Sequence, residues 1–133
     1  MRKFLALIAL IALVGLVSCG SKDTTLDLTI TEDPQGGAQV SSVTVEFEAG
    51  LVDGDTPITV TVEWWWENAV HEEDEMMDSE NITVSSQTVQ TFTSTYSASS
   101  GFILLNYWWV KIKWTDEAGD SHEVESDQAY CYQ

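Results

Sequence analysis

The sequence predicts an all-β protein, a sandwich of about seven strands in two sheets, and three observations carry that expectation. Residues 102–114 (FILLNYWWVKIKW) set Phe102, Leu104, Trp108, Val110, Ile112 and Trp114 on even positions, and Tyr107, Trp109, Lys111 and Lys113 on odd ones. A two-residue period marks a strand with one face in a core and one toward solvent. Residues 58–67 repeat the design, with Ile58, Val60, Val62, Trp64 and Trp66 on one side and Thr59, Thr61, Glu63, Trp65 and Glu67 on the other. No ten-residue window carries the apolar stripe of an amphipathic helix, so these segments are expected to be two neighbouring central strands.

The first residues must be set aside before the fold is read. Arg2 and Lys3 precede an apolar run over 4–17 that ends in Leu16-Val17-Ser18-Cys19. That run is shorter than the roughly 20 residues needed to span a bilayer core, so it reads as a cleaved signal. Leu16-Val17-Ser18-Cys19 closely resembles the lipobox of bacterial lipoproteins. The resemblance implies a signal peptide over 1–18, a diacylglycerol thioether on Cys19 and N-acylation of the new terminus, with the membrane as partner through the lipid. Two or three chains, at roughly 0.8 kcal/mol per buried methylene, anchor where a single chain does not. The absence of aspartate directly after Cys19 resembles outer-membrane sorting in Gram-negative bacteria, and Lys22-Asp23 is similar to the surface-export signal of Bacteroidetes lipoproteins. The alternative is an ordinary secretory signal with an incidental cysteine. Residues 19–25 then form a polar tether and 26–133 the domain.

Along the domain, residues 25–31 (TLDLTIT) alternate with Leu26, Leu28 and Ile30 on one side, an edge strand closed by the turn residues of 32–37. Residues 40–49 point Val43, Val45, Phe47 and Ala49 inward, and 50–57 form a loop before the tryptophan-bearing strand. Residues 68–80 (NAVHEEDEMMDSE) show no strand period and are expected to be an exposed acidic loop, a solvated charge run with His71, Glu72, Glu73, Asp74, Glu75, Asp78 and Glu80, docked by Met76-Met77. Two weaker strands follow at 81–86 and 88–97, the second anchored by Phe92 and Tyr96. After a turn at 97–101, the hairpin at 115–120, with Gly119 available for positive φ, leads into the last strand at 121–132.

All 22 acidic residues follow Cys19 and face only Lys22, Lys111 and Lys113, so the mature chain carries a charge of −19. Such a surface repels phosphate backbones, which excludes nucleic acid as a partner. Cleavage before Cys19 leaves 115 residues, enough for a single core. With Cys19 lipidated, Cys131 has no partner in the chain and is expected to be a small apolar strand residue.

The tryptophan pair of the third strand (Trp64, Trp66), the aromatic and aliphatic sixth strand at 107–114 and the hairpin TDEAGDSH together resemble the immunoglobulin-like superfamily, in the disulfide-free manner of fibronectin type III modules. The resemblance implies a Greek-key β-sandwich whose third and sixth strands adjoin. It departs from the immunoglobulin pattern in lacking the cysteine pair between sheets, and a jelly roll or an eight-stranded barrel fits the same strand count.

If those strands adjoin, Trp65, Tyr107 and Trp109 share the outer face of one sheet. Three rings there would form a platform for sugar rings or for a partner's apolar side chains, with Glu63, Lys111 and Lys113 supplying hydrogen bonds. Covering by neighbouring segments, or simple cross-strand pairing at roughly 0.2 to 1 kcal/mol per pair, is the competing account. Asp53, Asp55, Asp116, Glu117 and Asp120 fall in two loops placed at one end of such a sandwich, where hard oxygen ligands could hold Ca²⁺, although Asp-Gly-Asp is also ordinary turn composition. No nucleophile elbow, HExxH or phosphate loop is present, and His71 and His122 lie apart in the sequence. The expectation is therefore a non-catalytic, lipid-anchored envelope domain that binds or presents a glycan or a protein. An assembly subunit of an envelope complex and, behind it, a small carbohydrate-active hydrolase are the competing readings.

Overall fold

A computed structural model describes residues 22–68, 74–97 and 106–132. Phe102, Leu104, His71, Glu72, Glu73, Cys19, the signal segment and the expected turn at 98–101 lie outside the described residues. The described residues form strands only: β1 Thr25–Glu32, β2 Gly37–Ala38, β3 Ser42–Val52, β4 Ile58–Asn68, β5 Asp74–Val84, β6 Gln90–Ser97, β7 Asn106–Thr115, β8 Ser121–Glu125 and β9 Ala129–Tyr132. The smaller sheet has the order β1-β3-β6. The larger runs β2-β9-β7-β4-β5, with β8 also on β7.

Every pairing is antiparallel except the short parallel one between β2 and β9. Strands β8 and β9 occupy the same side of β7 in succession, β8 against Lys111–Thr115 and β9 against Asn106–Trp108. Between them Ser126 is buried and bonds Val110 twice, its amide donating to the Val110 carbonyl and its hydroxyl accepting from the Val110 amide, each at 3.0 Å. The break therefore leaves neither Val110 backbone group unpaired.

The alternation expected of the two central strands holds where the core is concerned. Val60, Val62 and Trp64 of β4 and Trp108, Val110, Ile112 and Trp114 of β7 are buried, and they cluster with Val43, Val45, Phe47 and Ala49 of β3 on the facing sheet. One core therefore lies between the two sheets. Ser94 of β6 ties them together at the edge: its hydroxyl accepts from Trp64 Nε1 at 3.0 Å and donates to Glu80 Oε1 at 2.8 Å. Cys131 is buried in β9, and burial pushes its thiol up from the ordinary range.

Three expectations need correction. The single last strand expected over 121–132 is two, β8 and β9, broken at 126–128, and the described residues hold nine strands rather than about seven. Strand β3 continues to Val52, into the segment read as a loop. The acidic segment is also not a loop as far as it is described, because β5 begins at Asp74 and pairs with β4 from Glu67↔Asp74 to Ile58↔Val84. It escapes the period-two test because it is an edge strand exposed at every residue from Asp74 to Asn81, so neither face demands apolar side chains. A bulge opposite Trp64 and Trp65 further scrambles its alternation.

Candidate functional site

The outer face of the larger sheet is built from the odd residues of β4 and β7. Trp65 and Trp109 are directly opposed in the register, as are Glu67 and Tyr107, and Glu63 and Lys111. The adjacency predicted from sequence is thus present, but the rings do not form an open platform. Trp109 is only 3% exposed, although its strand position faces away from the core, and its Nε1 has no partner among the described residues. Trp65 is half-buried; it donates through Nε1 to Glu63 Oε1 at 3.0 Å, and the Lys111 ammonium lies 4.3 Å from its ring centroid. Lys113 completes the group with an ion pair of 3.1 Å to Glu63. Contacts of these kinds contribute about 1 kcal/mol or less each at a partly exposed site, and they engage Trp65, Glu63, Lys111 and Lys113 with one another.

Only Tyr107 of the three expected rings is exposed, at 37%, and it belongs to a different group. Tyr107 is paired with Tyr130 of β9, their ring centroids 4.9 Å apart, and Tyr130 stacks on Tyr132 at 5.6 Å. Tyr130 and Tyr132 are 41% and 42% exposed. The outer position of both follows from the burial of Ala129 and Cys131 at the alternate positions. The sequence held that signal, the alternation A-Y-C-Y, but the register placing Tyr130 beside Tyr107 was not readable from it.

The two acidic loops do lie at one end, and residue 24 lies between them. Thr24, fully buried, donates its amide to Glu117 Oε1 at 2.7 Å and accepts the Glu117 amide at 3.0 Å, while its hydroxyl accepts from the Thr56 amide at 3.2 Å. The Thr24 amide foremost, with the Thr24 and Thr56 side chains, holds the Glu117 carboxyl below its ordinary value. Asp116 is buried and accepts from the Asp120 amide and from His122 Nε2, both at 2.9 Å; the imidazole contact is the larger cause of its lowered pKa. Asp53 adopts a left-handed φ of 66°, and Asp55 and Asp120 are exposed. Among the described residues, no three His, Cys, Asp or Glu side chains are grouped to hold a metal ion.

The Asp116–His122 contact was missed in the sequence, where the two residues fall on opposite sides of a turn. The His122 ring stacks on Trp114 at 5.3 Å, and the adjacent Ser121 points to the opposite face of its strand. A depression of about 830 Å³ nearby is lined by Thr59, Thr61, Asn81, Lys113 and Glu123 among others. Several of its polar groups are already engaged, Thr59 with Thr83 at 3.2 Å, Thr61 with Asn81 at 2.9 Å and Lys113 with Glu63.

No family model and no curated protein matches the chain. Among solved structures it is similar to Spo0M, a sporulation control protein from Bacillus subtilis, with TM-score 0.49 and 9% identity over 84% of this chain and 50% of that one. It is also similar to a β-glucosidase from Listeria innocua in complex with glucose (0.48, 10% identity, 83% of this chain and 16% of that one). The ApaA protein from Bordetella pertussis gives 0.41 at 13% identity over 86% and 98%. The chain thus spans half of Spo0M and less than a fifth of the glucosidase, and at these scores no function passes from any of them.

Proposed function

We propose that the protein is a non-catalytic, lipid-anchored domain of the cell envelope, immunoglobulin-like in build, that binds or presents a glycan or a protein at the end of its larger sheet farthest from the anchor. The strand order supports the immunoglobulin-like reading: β1, β3 and β6 form one sheet, and β4 and β7 adjoin in the other. In the constant-type order the fourth long strand joins the first sheet, whereas here β5 pairs with β4, so the build is closer to the fibronectin type III manner. The lipobox at 16–19 supports the anchor.

The observation that carries the proposal is the position of the exposed tyrosines relative to the chain's entry. Thr24 enters beside Thr56 and Glu117, past the Thr115 end of β7, and Tyr107 stands at the other end of that strand. Tyr107 and Thr115 are eight residue steps apart along β7, about 26 Å at 3.3 Å per step. An anchor at residue 19 would hold one end near the bilayer and present Tyr107, Tyr130 and Tyr132 outward.

A Tyr107→Ala/Tyr130→Ala chain is expected to keep its far-UV spectrum and lose at least tenfold in binding to purified envelope polysaccharide, or lose a cross-linked protein partner in intact cells. Retention of both would overturn the proposal. Trp109→Ala is unsuited to this test, because removing a buried tryptophan costs about 3–5 kcal/mol of stability. One observation favours an assembly role instead. Strand β5 is eleven residues long and its outer edge is unpaired among the described residues, so it offers an edge for strand addition. A photo-cross-linker at Ser79 that captures a fixed neighbour, with the tyrosines dispensable, would establish that reading.

A further inference from the structure

The row crossing the far end of the larger sheet is acidic as well as aromatic. Asp74 of β5 is opposite Glu67 of β4, Glu67 is opposite Tyr107 of β7, and Tyr107 is opposite Tyr130 of β9. Tyr132 extends the row by its stack on Tyr130. Two features set it apart from a face that is merely solvated. Like charges directly opposite on paired strands destabilise the pair, and Asp74 and Glu67 are placed in that way.

The chain also supplies no lysine or arginine to this end. Beyond Lys3 the sequence contains only Lys22, Lys111 and Lys113. Lys22 lies next to Thr24 at the opposite end, Lys111 covers Trp65, and Lys113 is paired with Glu63. The rings themselves argue against a sugar. Tyr130 and Tyr132 are 23° from parallel at 5.6 Å, so their faces are turned to each other rather than laid out as a floor for a pyranose. Phenol oxygens accept hydrogen bonds and tyrosine rings attract cations, as this face already shows in the Lys111 ammonium held 4.3 Å from the Trp65 centroid.

We infer, resting on the reading of this end as the ligand face, that the ligand is a protein and that it docks through an arginine- or lysine-bearing segment. Its cations bind between the carboxylates of Glu67 and Asp74 and the rings of Tyr107, Tyr130 and Tyr132. The acidic residues neutralise the incoming charge, and the tyrosines convert a long-range attraction into a located contact.

The test titrates the full lipidated chain in neutral detergent with a labelled octa-arginine peptide at about 0.15 M salt, where exposed charges more than about 8 Å apart are largely screened. Replacing Tyr107, Tyr130 and Tyr132 with leucine leaves the net charge unchanged and is expected to weaken binding at least tenfold. Glu67→Gln/Asp74→Asn is expected to do the same while unfolding at no lower temperature than the parent, since a repulsive pair is removed. Asp27→Asn/Glu48→Gln, an equal charge change on the exposed face of the other sheet, is expected to stay within about twofold. Equal affinity of the parent and the leucine variant, or an equal loss in the control, would mean bulk attraction alone and would overturn the inference. If envelope polysaccharide binding falls in the tyrosine variants while octa-arginine binding does not, the ligand face stands and this inference fails. If neither responds and the cross-linked partner is also retained, both fail.

Discussion

Ser94 is a small polar residue buried at the edge of an apolar interface, and its two hydrogen bonds explain why it is tolerated there. Its hydroxyl takes the Trp64 indole N–H and passes its own proton to Glu80, linking β6 of one sheet to β4 and β5 of the other. Ser94→Ala removes the acceptor and strands a buried indole N–H, a loss expected to cost about 1–3 kcal/mol. Urea unfolding reads this as a lower midpoint at unchanged slope. A midpoint equal to the parent's would mean the bridge contributes nothing. In the Trp64→Phe background the same change should cost less, because the donor is already gone. Residue-scale features of this kind were only half legible in the sequence. Periodicity assigned Trp64 and Trp108 to the core and placed Trp109 on the opposite face. It could not say that Trp109 would be covered there, because a two-residue period reports which way a side chain points and not what lies over it.

At the scale of elements, the hairpin between β7 and β8 is held by side chains that accept from its own backbone and from residue 24. Asp116 accepts from His122 and Asp120, Glu117 accepts from Thr24, and both carboxyls are thereby lowered from ordinary values of 3.8 and 4.5. A depressed folded value means that the stabilisation is complete above the ordinary value and is lost as pH falls through it toward the folded one. Asp116→Asn/Glu117→Gln is therefore expected to be less stable than the parent at pH 5 and to converge on it as pH falls below the ordinary carboxylate range, measured as urea midpoints. A constant gap across that range would remove these groups from the acid response. The hairpin itself was legible, since TDEAGDSH between two alternating runs is a turn, and Gly119 takes a φ of 96°. Strand β5 was illegible because main-chain pairing to β4 defines it, and an exposed edge imposes no side-chain pattern.

Over the whole molecule, the chain's entry and its exposed aromatic row mark opposite ends, and that polarity is what a short anchor would exploit. Residues 19–23 span at most about 18 Å when fully extended, less than the roughly 26 Å covered by β7 from Tyr107 to Thr115. With Thr24 clamped to Glu117 and Thr56, a lipid on Cys19 would leave a tether too short to reach the far end of the domain. The lipidated protein in bilayers should therefore stand with Asp55 near the headgroups and Ala38 away from them. A fluorophore on Asp55→Cys is expected to transfer energy to a headgroup acceptor much more efficiently than one on Ala38→Cys, and the buried Cys131 thiol should stay unlabelled in the folded chain. Weakening the clamp with Thr24→Gly/Glu117→Ala, which removes the hydroxyl that accepts from Thr56 and the carboxylate that accepts from the Thr24 amide, should narrow the difference while leaving both sheets paired. Equal transfer from the two sites in the parent protein would describe a domain lying on its side, and the tyrosine row would then have no outward direction to present itself.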